Sequence, residues 1–232
     1  MSFLFNFSEA EVQAIVLSVK IAVYCAVISL PFALLIGYIM ARKNFFGKPI
    51  VESIIHLPLV MPPVTTGYLL LMLLGNNSFL GSWLNDVFGV NIAFSVTAAV
   101  IAATVVSFPL MVRSIRTSIE MVDPDLEDAS RTLGVGKLKT FFRITVPLAL
   151  PGIIAGTVLA FARSLGEFGA TITFAGNIAG ETQTLPLAIY ANMQVPGGEE
   201  ATIRLVAVSV LISFIAMILS EWYIKKMKDG RG

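Results

Sequence analysis

Residues 21–41, IAVYCAVISLPFALLIGYIMA, form a stretch of 21 side chains without a formal charge. About 20 consecutive apolar residues are enough for a helix to cross the ~30 Å hydrocarbon core of a bilayer. Four further charge-free stretches follow, and none has the alternating pattern of a membrane β-strand. The sequence therefore predicts an all-α membrane protein with five transmembrane helices. The predicted spans are about residues 13–41, 53–74, 92–112, 144–163 and 202–223.

The composition of the 232-residue chain agrees with this class. Hydrophobic residues make up 56% and charged residues 13%, and the mean hydropathy is +0.83. Soluble domains have about 25% charged residues, so the composition excludes a soluble enzyme, a disordered chain and a nucleic-acid-binding protein. One cysteine, Cys25, and one histidine, His56, exclude a disulfide framework and any metal site that needs two histidines.

The segment 166–200 is apolar in places but carries Glu167, Glu181, Glu199 and Glu200. Its best helical part, Leu185–Gln194, has about ten residues, too few to span a bilayer. We interpret the segment as a short extracytoplasmic or re-entrant helix; a sixth span is the alternative.

Three prolines, Pro58, Pro62 and Pro63, interrupt the second predicted span. Because proline removes a backbone donor and clashes with the preceding turn, they predict a bend in this helix. We favour a static kink over a moving hinge.

The basic residues indicate the orientation. Short cytoplasmic loops are enriched in Lys and Arg. Of the 16 basic residues, thirteen fall in 42–52, 113–143 and the tail 221–232, and three lie on the opposite side: Lys20, Arg163 and Arg204. This split predicts an outer N-terminus and a cytoplasmic C-terminus.

The largest cytoplasmic loop, 113–143, contains the run MVDPDLEDASRTLG at 121–134. Asp123 is a good N-cap, Pro124 suits the first helical position, and Gly134 is a typical C-terminal stop. The run predicts a helix of about ten residues, too short to be stable alone. Its apolar face consists of Leu126, Ala129 or Ser130, and Leu133. This face packs either on the protein's own helix ends or in a groove of a soluble partner.

This run resembles the EAA signature of ABC importer permeases, which reads E-A-A, three residues, G, nine residues and I-x-L-P. With Gly134 as the anchor, Asp128 takes the glutamate position and Ser130 that of the second alanine, and Ile144 and Pro147 follow. Glu127 lies one position early, so the sequence leaves open which acidic residue has the motif's role.

The resemblance extends over most of the chain. IHLPLVMPP (55–63), SFPLMVR (107–113), AFARSLGEFGATITF (160–174) and GETQTLP (180–186) are similar to the molybdate permease family. Sulfate and thiosulfate permeases share part of this pattern but are longer chains, so the resemblance favours molybdate, with tungstate close behind. A secondary transporter that works without ATP is the alternative outside this class.

The resemblance implies a type I ABC importer permease fold, formed by residues 1–232 as one transmembrane domain. It implies a homodimer in a cytoplasmic (inner) membrane, two ATPase subunits below and an extracytoplasmic molybdate-binding protein above. The short helix would couple the permease to the ATPase. The chain has no Walker A pattern, so we expect no enzyme activity, metal or cofactor on it, with ATP and Mg²⁺ on the partner ATPase. The predicted coupling residues are Asp125, Leu126, Glu127, Asp128, Ala129, Ser130, Arg131, Leu133 and Gly134.

Arg163 and Glu167 are four residues apart at the outer end of the fourth span. Ionisable residues in a membrane segment are candidates for function, so Arg163 either lies near the anion pathway or forms a structural ion pair with Glu167. Three nearby hydroxyl residues could also offer donors to an oxyanion: Ser164, Thr171 and Thr173.

The fourth span also carries small residues at every fourth position: Gly152, Gly156 and Ala160. Such a stripe lets another helix approach closely. It predicts helix packing, either inside the subunit or across a dimer axis.

Overall fold

The computed structural model describes residues 7–229, with side chains to residue 226, and all regular secondary structure in this part of the chain is helical. The helices are α1 (Glu9–Arg42), α2 (Lys48–Val60), α3 (Pro63–Leu74), α4 (Phe79–Phe88), α5 (Val96–Glu120), α6 (Pro124–Thr132), α7 (Lys137–Thr140), α8 (Val146–Leu165), α9 (Gly169–Phe174), α10 (Leu185–Met193) and α11 (Glu199–Asp229). A π-helical turn, Phe141–Thr145, joins α7 to α8.

Four helices of the described chain are long and apolar enough to cross a membrane. They are α1, α5, the continuous helix Lys137–Leu165 and α11. The remaining predicted span, 53–74, is two helices, α2 and α3, bent by 113° between them. The structure therefore has four candidate spans, or five if the bent pair is counted as one.

The bend between α2 and α3 lies at the predicted interruption and is sharper than a kink within one helix. Met61 and Pro62 both have extended backbones, with ψ of 147° and 132°. A residue before a proline is disfavoured in the helical region, so the Pro62–Pro63 pair ends α2 and starts α3 in a new direction. Pro58 is accommodated inside α2.

Helix α5 is the centre of the bundle and packs against both α1 and α8. Its buried face is formed mainly by small side chains near its start: Ala98, Ala99, Ala102 and Ala103. Small residues let helix backbones approach closely, and van der Waals packing is a main source of helix association in a bilayer.

The segment 166–200 contains no spanning helix. Its two helices, α9 and α10, have 6 and 9 residues, consistent with the predicted short helix and not with a sixth span. Helix α9 packs so tightly on α3 that a Cβ on Gly67 would lie 2.6 Å from the Ala170 carbonyl oxygen. Helix α10 is held to α1, where the Ser18 hydroxyl accepts the Leu185 N–H at 2.6 Å.

The two ends of the bundle are each fixed by a buried ion pair. At one end Arg204 of α11 donates to Glu11 of α1 at 2.9 Å. At the other end, which we call the α6 end, Arg42 of α1 contacts Glu127 of α6. Long-range charge pairs thus set how α1 sits against the rest of the chain.

Candidate coupling site

Helix α6 begins and ends where the sequence predicts. The Asp123 carboxylate accepts the N–H of Asp125 at 3.0 Å, and Pro124 occupies the first helical position. Gly134 follows the helix with φ of +82°, a left-handed conformation that glycine adopts without strain. The predicted cap and stop are confirmed.

The inner side of α6 is organised around the Glu127 carboxylate, which is 3% exposed. Arg42 approaches it to 3.0 Å, the Thr145 hydroxyl donates to it at 2.9 Å, and Arg131 lies 3.3 Å away. Arg42 also donates to the Val122 carbonyl at 2.6 Å. Hydrogen bonds to charged groups are among the stronger ones in proteins, so this carboxylate ties α6 to α1 and to the start of the fourth span.

Ser130 also faces inward. It is buried, and its hydroxyl lies 3.2 Å from the hydroxyl of Thr140 in α7. Of the two residues predicted as alternatives for the apolar face, Ala129 is therefore the one on the outer side.

The outer side of α6 presents two leucines that the described chain leaves largely uncovered. Leu126 is 48% exposed and Leu133 is 84% exposed. Asp125 and Asp128 are also exposed, and Asp128 pairs with Arg131 at 3.0 Å. The helix therefore has a charged, anchored inner face and an open apolar outer face. Of the two candidate acidic residues, Glu127 is the buried one and Asp128 is the exposed one.

At the other end of the bundle, Arg163 and Glu167 form an ion pair of 2.7 Å. Glu167 is buried and also accepts the Ala170 N–H at 2.9 Å, at the start of α9. The hydroxyls of Ser164 and Thr173 donate to backbone carbonyls of their own helices, as such residues commonly do. Thr171 is a buried residue of α9.

The small residues of α8 lie against α5 of the same chain. A Cβ on Gly152 would overlap the Ser118 Cβ, and one on Gly156 would be 3.0 Å from the Ser114 Cβ. The Ser114 and Ser118 hydroxyls donate to α8 carbonyls at 2.9 and 3.0 Å, and Ala160 is fully buried. This contact holds α8 directly on α5.

A family model for the binding-protein-dependent transport system inner membrane component matches residues 33–229. The chain belongs to this family.

Curated relatives show where this permease lies within the family. It is 53% identical to the molybdenum transport system permease protein ModB of Haemophilus influenzae, over 96% of this chain and 97% of that protein. It is 33% identical to the sulfate transport system permease protein CysW of a Synechocystis species, over 88% of this chain and 75% of that protein.

Among solved structures, a chain of the MetNI methionine ABC transporter has the same fold. The TM-score is 0.73, and the match covers 95% of this permease and 99% of that chain. The sequence identity is 14%, so this likeness concerns the fold alone. It agrees with the predicted type I ABC importer architecture.

Family membership makes the chain an inner-membrane, multi-pass component of an ABC transporter, which works with an ATPase and a binding protein. The sequence has no Walker A pattern, in agreement with a permease that is not itself the ATPase. Within residues 7–229, no cluster of three or more His, Cys, Asp or Glu side chains could hold a metal ion.

The sequence did not indicate which residues of the permease bind the inner side of α6. Arg42 and Thr145 bind the Glu127 carboxylate, yet they lie 85 and 18 positions away from it. The sequence offers one local signal, an arginine that ends the first charge-free stretch and is followed by Lys43. It gives no indication of which acid that arginine meets.

Proposed function

We propose that this chain is the membrane-spanning permease subunit of an ATP-driven importer of molybdate, with tungstate as a close analogue. The observation that carries the proposal is the 53% identity with ModB over nearly the full length of both proteins. The lower identity to the sulfate permease CysW, 33%, favours molybdate over sulfate.

We propose that α6 is the coupling helix and that its outer face docks in a cleft of the ATPase. Support comes from its apolar face, where Leu126 and Leu133 are exposed. It also comes from the buried Glu127 carboxylate, which binds α6 to α1 and to the start of the fourth span. An amphipathic helix that lays its apolar face in a groove is a common recognition mode. Movement of the ATPase would pass through Glu127 to α1 and the fourth span. The proposed coupling set remains Asp125, Leu126, Glu127, Asp128, Ala129, Ser130, Arg131, Leu133 and Gly134.

We further propose a homodimer with two ATPase subunits and one binding protein, in which residues 1–232 form one domain with an outer N-terminus and a cytoplasmic C-terminus. The distribution of charge supports this orientation, because Arg42, Arg116 and Arg131 cluster at the α6 end and Arg204 lies at the opposite end. Arg231, the last of the thirteen basic residues, lies outside the described part of the chain.

For the outer end of α8 we propose a structural role for the Arg163–Glu167 pair, at the turn between α8 and α9. Its support is the commitment of both Glu167 oxygens, one to Arg163 and one to the Ala170 N–H. In the alternative, five residues line the anion pathway: Arg163, Ser164, Glu167, Thr171 and Thr173. Replacing Arg163 and Glu167 together by apolar residues would separate the two roles.

Reconstituted transport tests the importer function. Vesicles that contain the permease and its ATPase, supplied with the binding protein and internal ATP, should accumulate radiolabelled molybdate. Unlabelled tungstate should compete, and excess sulfate should not. Uptake that proceeds without ATP, or that sulfate blocks and molybdate does not, would contradict the proposal.

A further inference from the structure

A polar cavity of about 430 Å³ lies between α2 and α5 near the α6 end of the bundle. Its lining is almost entirely charged or hydroxylated: Glu52, Ser53, His56, Arg113, Arg116, Thr117 and Glu120. Charged groups are costly inside a membrane protein and generally face a partner or a water-filled path. The cavity is open, because Ser53, Arg113, Thr117 and Glu120 are exposed, so its charges are accessible to solvent and to a passing ion.

Three of the four charged residues that line this cavity pair with one another, and one cation remains. Arg116 binds Glu120 at 2.7 Å and also contacts Glu52, so both carboxylates of the lining are paired with one guanidinium. Arg113 forms no hydrogen bond or ion pair within the described chain. The cavity therefore contains a guanidinium whose donors are uncommitted.

Arg113 also lines a second, larger space. An open groove of about 850 Å³ follows α5 and α8 from Asp123 and Leu126 up to Leu159, and Arg113 and Thr117 border both spaces. Arg113 and Asp123 are the charged residues of the groove lining, and Asp123 is occupied as the cap of α6. Arg113 is thus the cation at the junction of a long apolar groove and a polar cavity.

Arg113 is one of the basic residues that indicate the orientation, and its place on α5 also brings it to both spaces. Arg113 lies seven residues before the end of α5, which is about 10 Å along a helix that rises ~1.5 Å per residue. Arg113 and Arg143 are both exposed. Arg143 lies in the π-helical turn before α8 and lines neither space.

We propose that Arg113, together with the side chain of Thr117, forms a transient binding site for a tetrahedral oxyanion at the α6 end of the translocation pathway. This inference rests on the proposed function and identifies an intermediate binding site for the transported anion. A planar guanidinium offers paired N–H donors that match an oxyanion, and a threonine hydroxyl can add another donor.

The balance of charge in the cavity makes this site weak, which suits transport. Two guanidiniums face two carboxylates, and the carboxylates remain close enough to oppose a dianion. A site on a conduction path must be favourable enough to fill and weak enough to empty. Arg163, for which the sequence left an anion role and a structural ion pair open, is paired with Glu167.

Protection of an introduced thiol tests the site directly. Ser53 lines the cavity, and its hydroxyl bonds back to the Pro49 carbonyl, so Ser53→Cys places a probe beside the proposed ligands. The native Cys25 is 0% exposed and should not react. In the assembled, nucleotide-free complex, millimolar molybdate should slow maleimide labelling of the introduced thiol.

Variants then assign the protection to Arg113. Arg113→Gln should raise the half-protecting molybdate concentration at least about tenfold, since a charge-assisted, bidentate interaction is lost. Arg113→Lys should fall between Arg113→Gln and the wild type, and Arg143→Gln, the matched control, should leave protection unchanged. Initial molybdate uptake should fall with Arg113→Gln, although the ATPase remains bound.

The outcomes separate this inference from the proposed function. If the Ser53→Cys complex transports molybdate but neither molybdate, tungstate nor sulfate protects the introduced thiol, the site is refuted and the importer function stands. Equal protection with and without Arg113→Gln also refutes it. If sulfate protects and is transported but molybdate is not, the site stands and the assigned substrate is wrong.

Discussion

Arg42, the last residue of α1, and Glu127, in the middle of α6, form an ion pair of 3.0 Å although 85 positions separate them. This contact joins the first membrane helix to the proposed coupling helix. Because Thr145 donates to the same carboxylate, a displacement of α6 acts on both α1 and the start of the fourth span.

We expect Glu127→Gln to weaken the anchoring of α6. Loss of one partner from a buried ion pair costs about 3 kcal/mol, because the remaining charge stays buried. The thermal unfolding midpoint of the purified permease should fall, and less ATPase should be retained in a pull-down. For the thermal midpoint the matched control is Asp128→Asn, because the Asp128 side chain is 68% exposed. An equal fall of the midpoint in the two variants would show that Glu127 is not the anchor.

Features that depend on residues close together in the sequence could be predicted, and features that depend on distant residues could not. Four of the five predicted spans coincide with long apolar helices, because the length of a charge-free stretch is a local property. The caps at Asp123 and Gly134 are equally local. The 113° bend was underestimated, because a proline pair marks an interruption but not the direction of the chain after it.

Long-range contacts could not be predicted in the same way. Helix α4, between the second and third predicted spans, was not predicted, although Ser78 caps it by accepting the Gly81 N–H at 2.9 Å. The partner of Glu127 depends on how α1 packs, and that packing is fixed by contacts spread over the whole bundle. Arg113 could not be distinguished from other basic loop residues without the cavities around it.

The contact between α5 and α8 predicts a large effect of a small substitution. Gly152→Ser would place a Cβ in direct overlap with the Ser118 Cβ, so the two helices must separate. Such overpacking costs about 1–3 kcal/mol. Gly136→Ser is the control, since nothing lies within 4 Å of its added Cβ and serine is a favourable N-cap for α7. The thermal midpoint should fall for Gly152→Ser and stay within error for Gly136→Ser.

The proposed orientation predicts the behaviour of reporter fusions. A reporter fused after Lys228 should be cytoplasmic, and one inserted after Val90 should be external. Val90 is suitable because it follows α4, which ends at Phe88. Activity of a reporter that functions only outside the cytoplasm provides the measurement. Both fusions on the same side of the membrane would rule out this topology.

The role of Arg163 can be decided with a pair of apolar substitutions. Arg163→Met alone should destabilise the permease, because it leaves the buried Glu167 carboxylate without its cation. Arg163→Met combined with Glu167→Leu should recover part of that loss, since an apolar pair can often replace a buried ion pair. If the pair is structural, the folded double variant should transport molybdate. Loss of transport in a well-folded complex would instead place Arg163 on the anion pathway.

The proposed coupling helix gives the most direct test of how transport is driven. Leu133 is 84% exposed at the end of α6, so Leu133→Asp removes no packing inside the permease and should leave its folding unchanged. In a complex with the ATPase, the same substitution would bury an unpaired carboxylate in an apolar groove, which costs several kcal/mol. A pull-down should then retain much less ATPase, and molybdate uptake should be lost. Leu133→Met, which keeps an apolar side chain of similar volume, should preserve both. Normal ATPase retention and normal uptake in Leu133→Asp would show that this face of α6 is not the coupling surface.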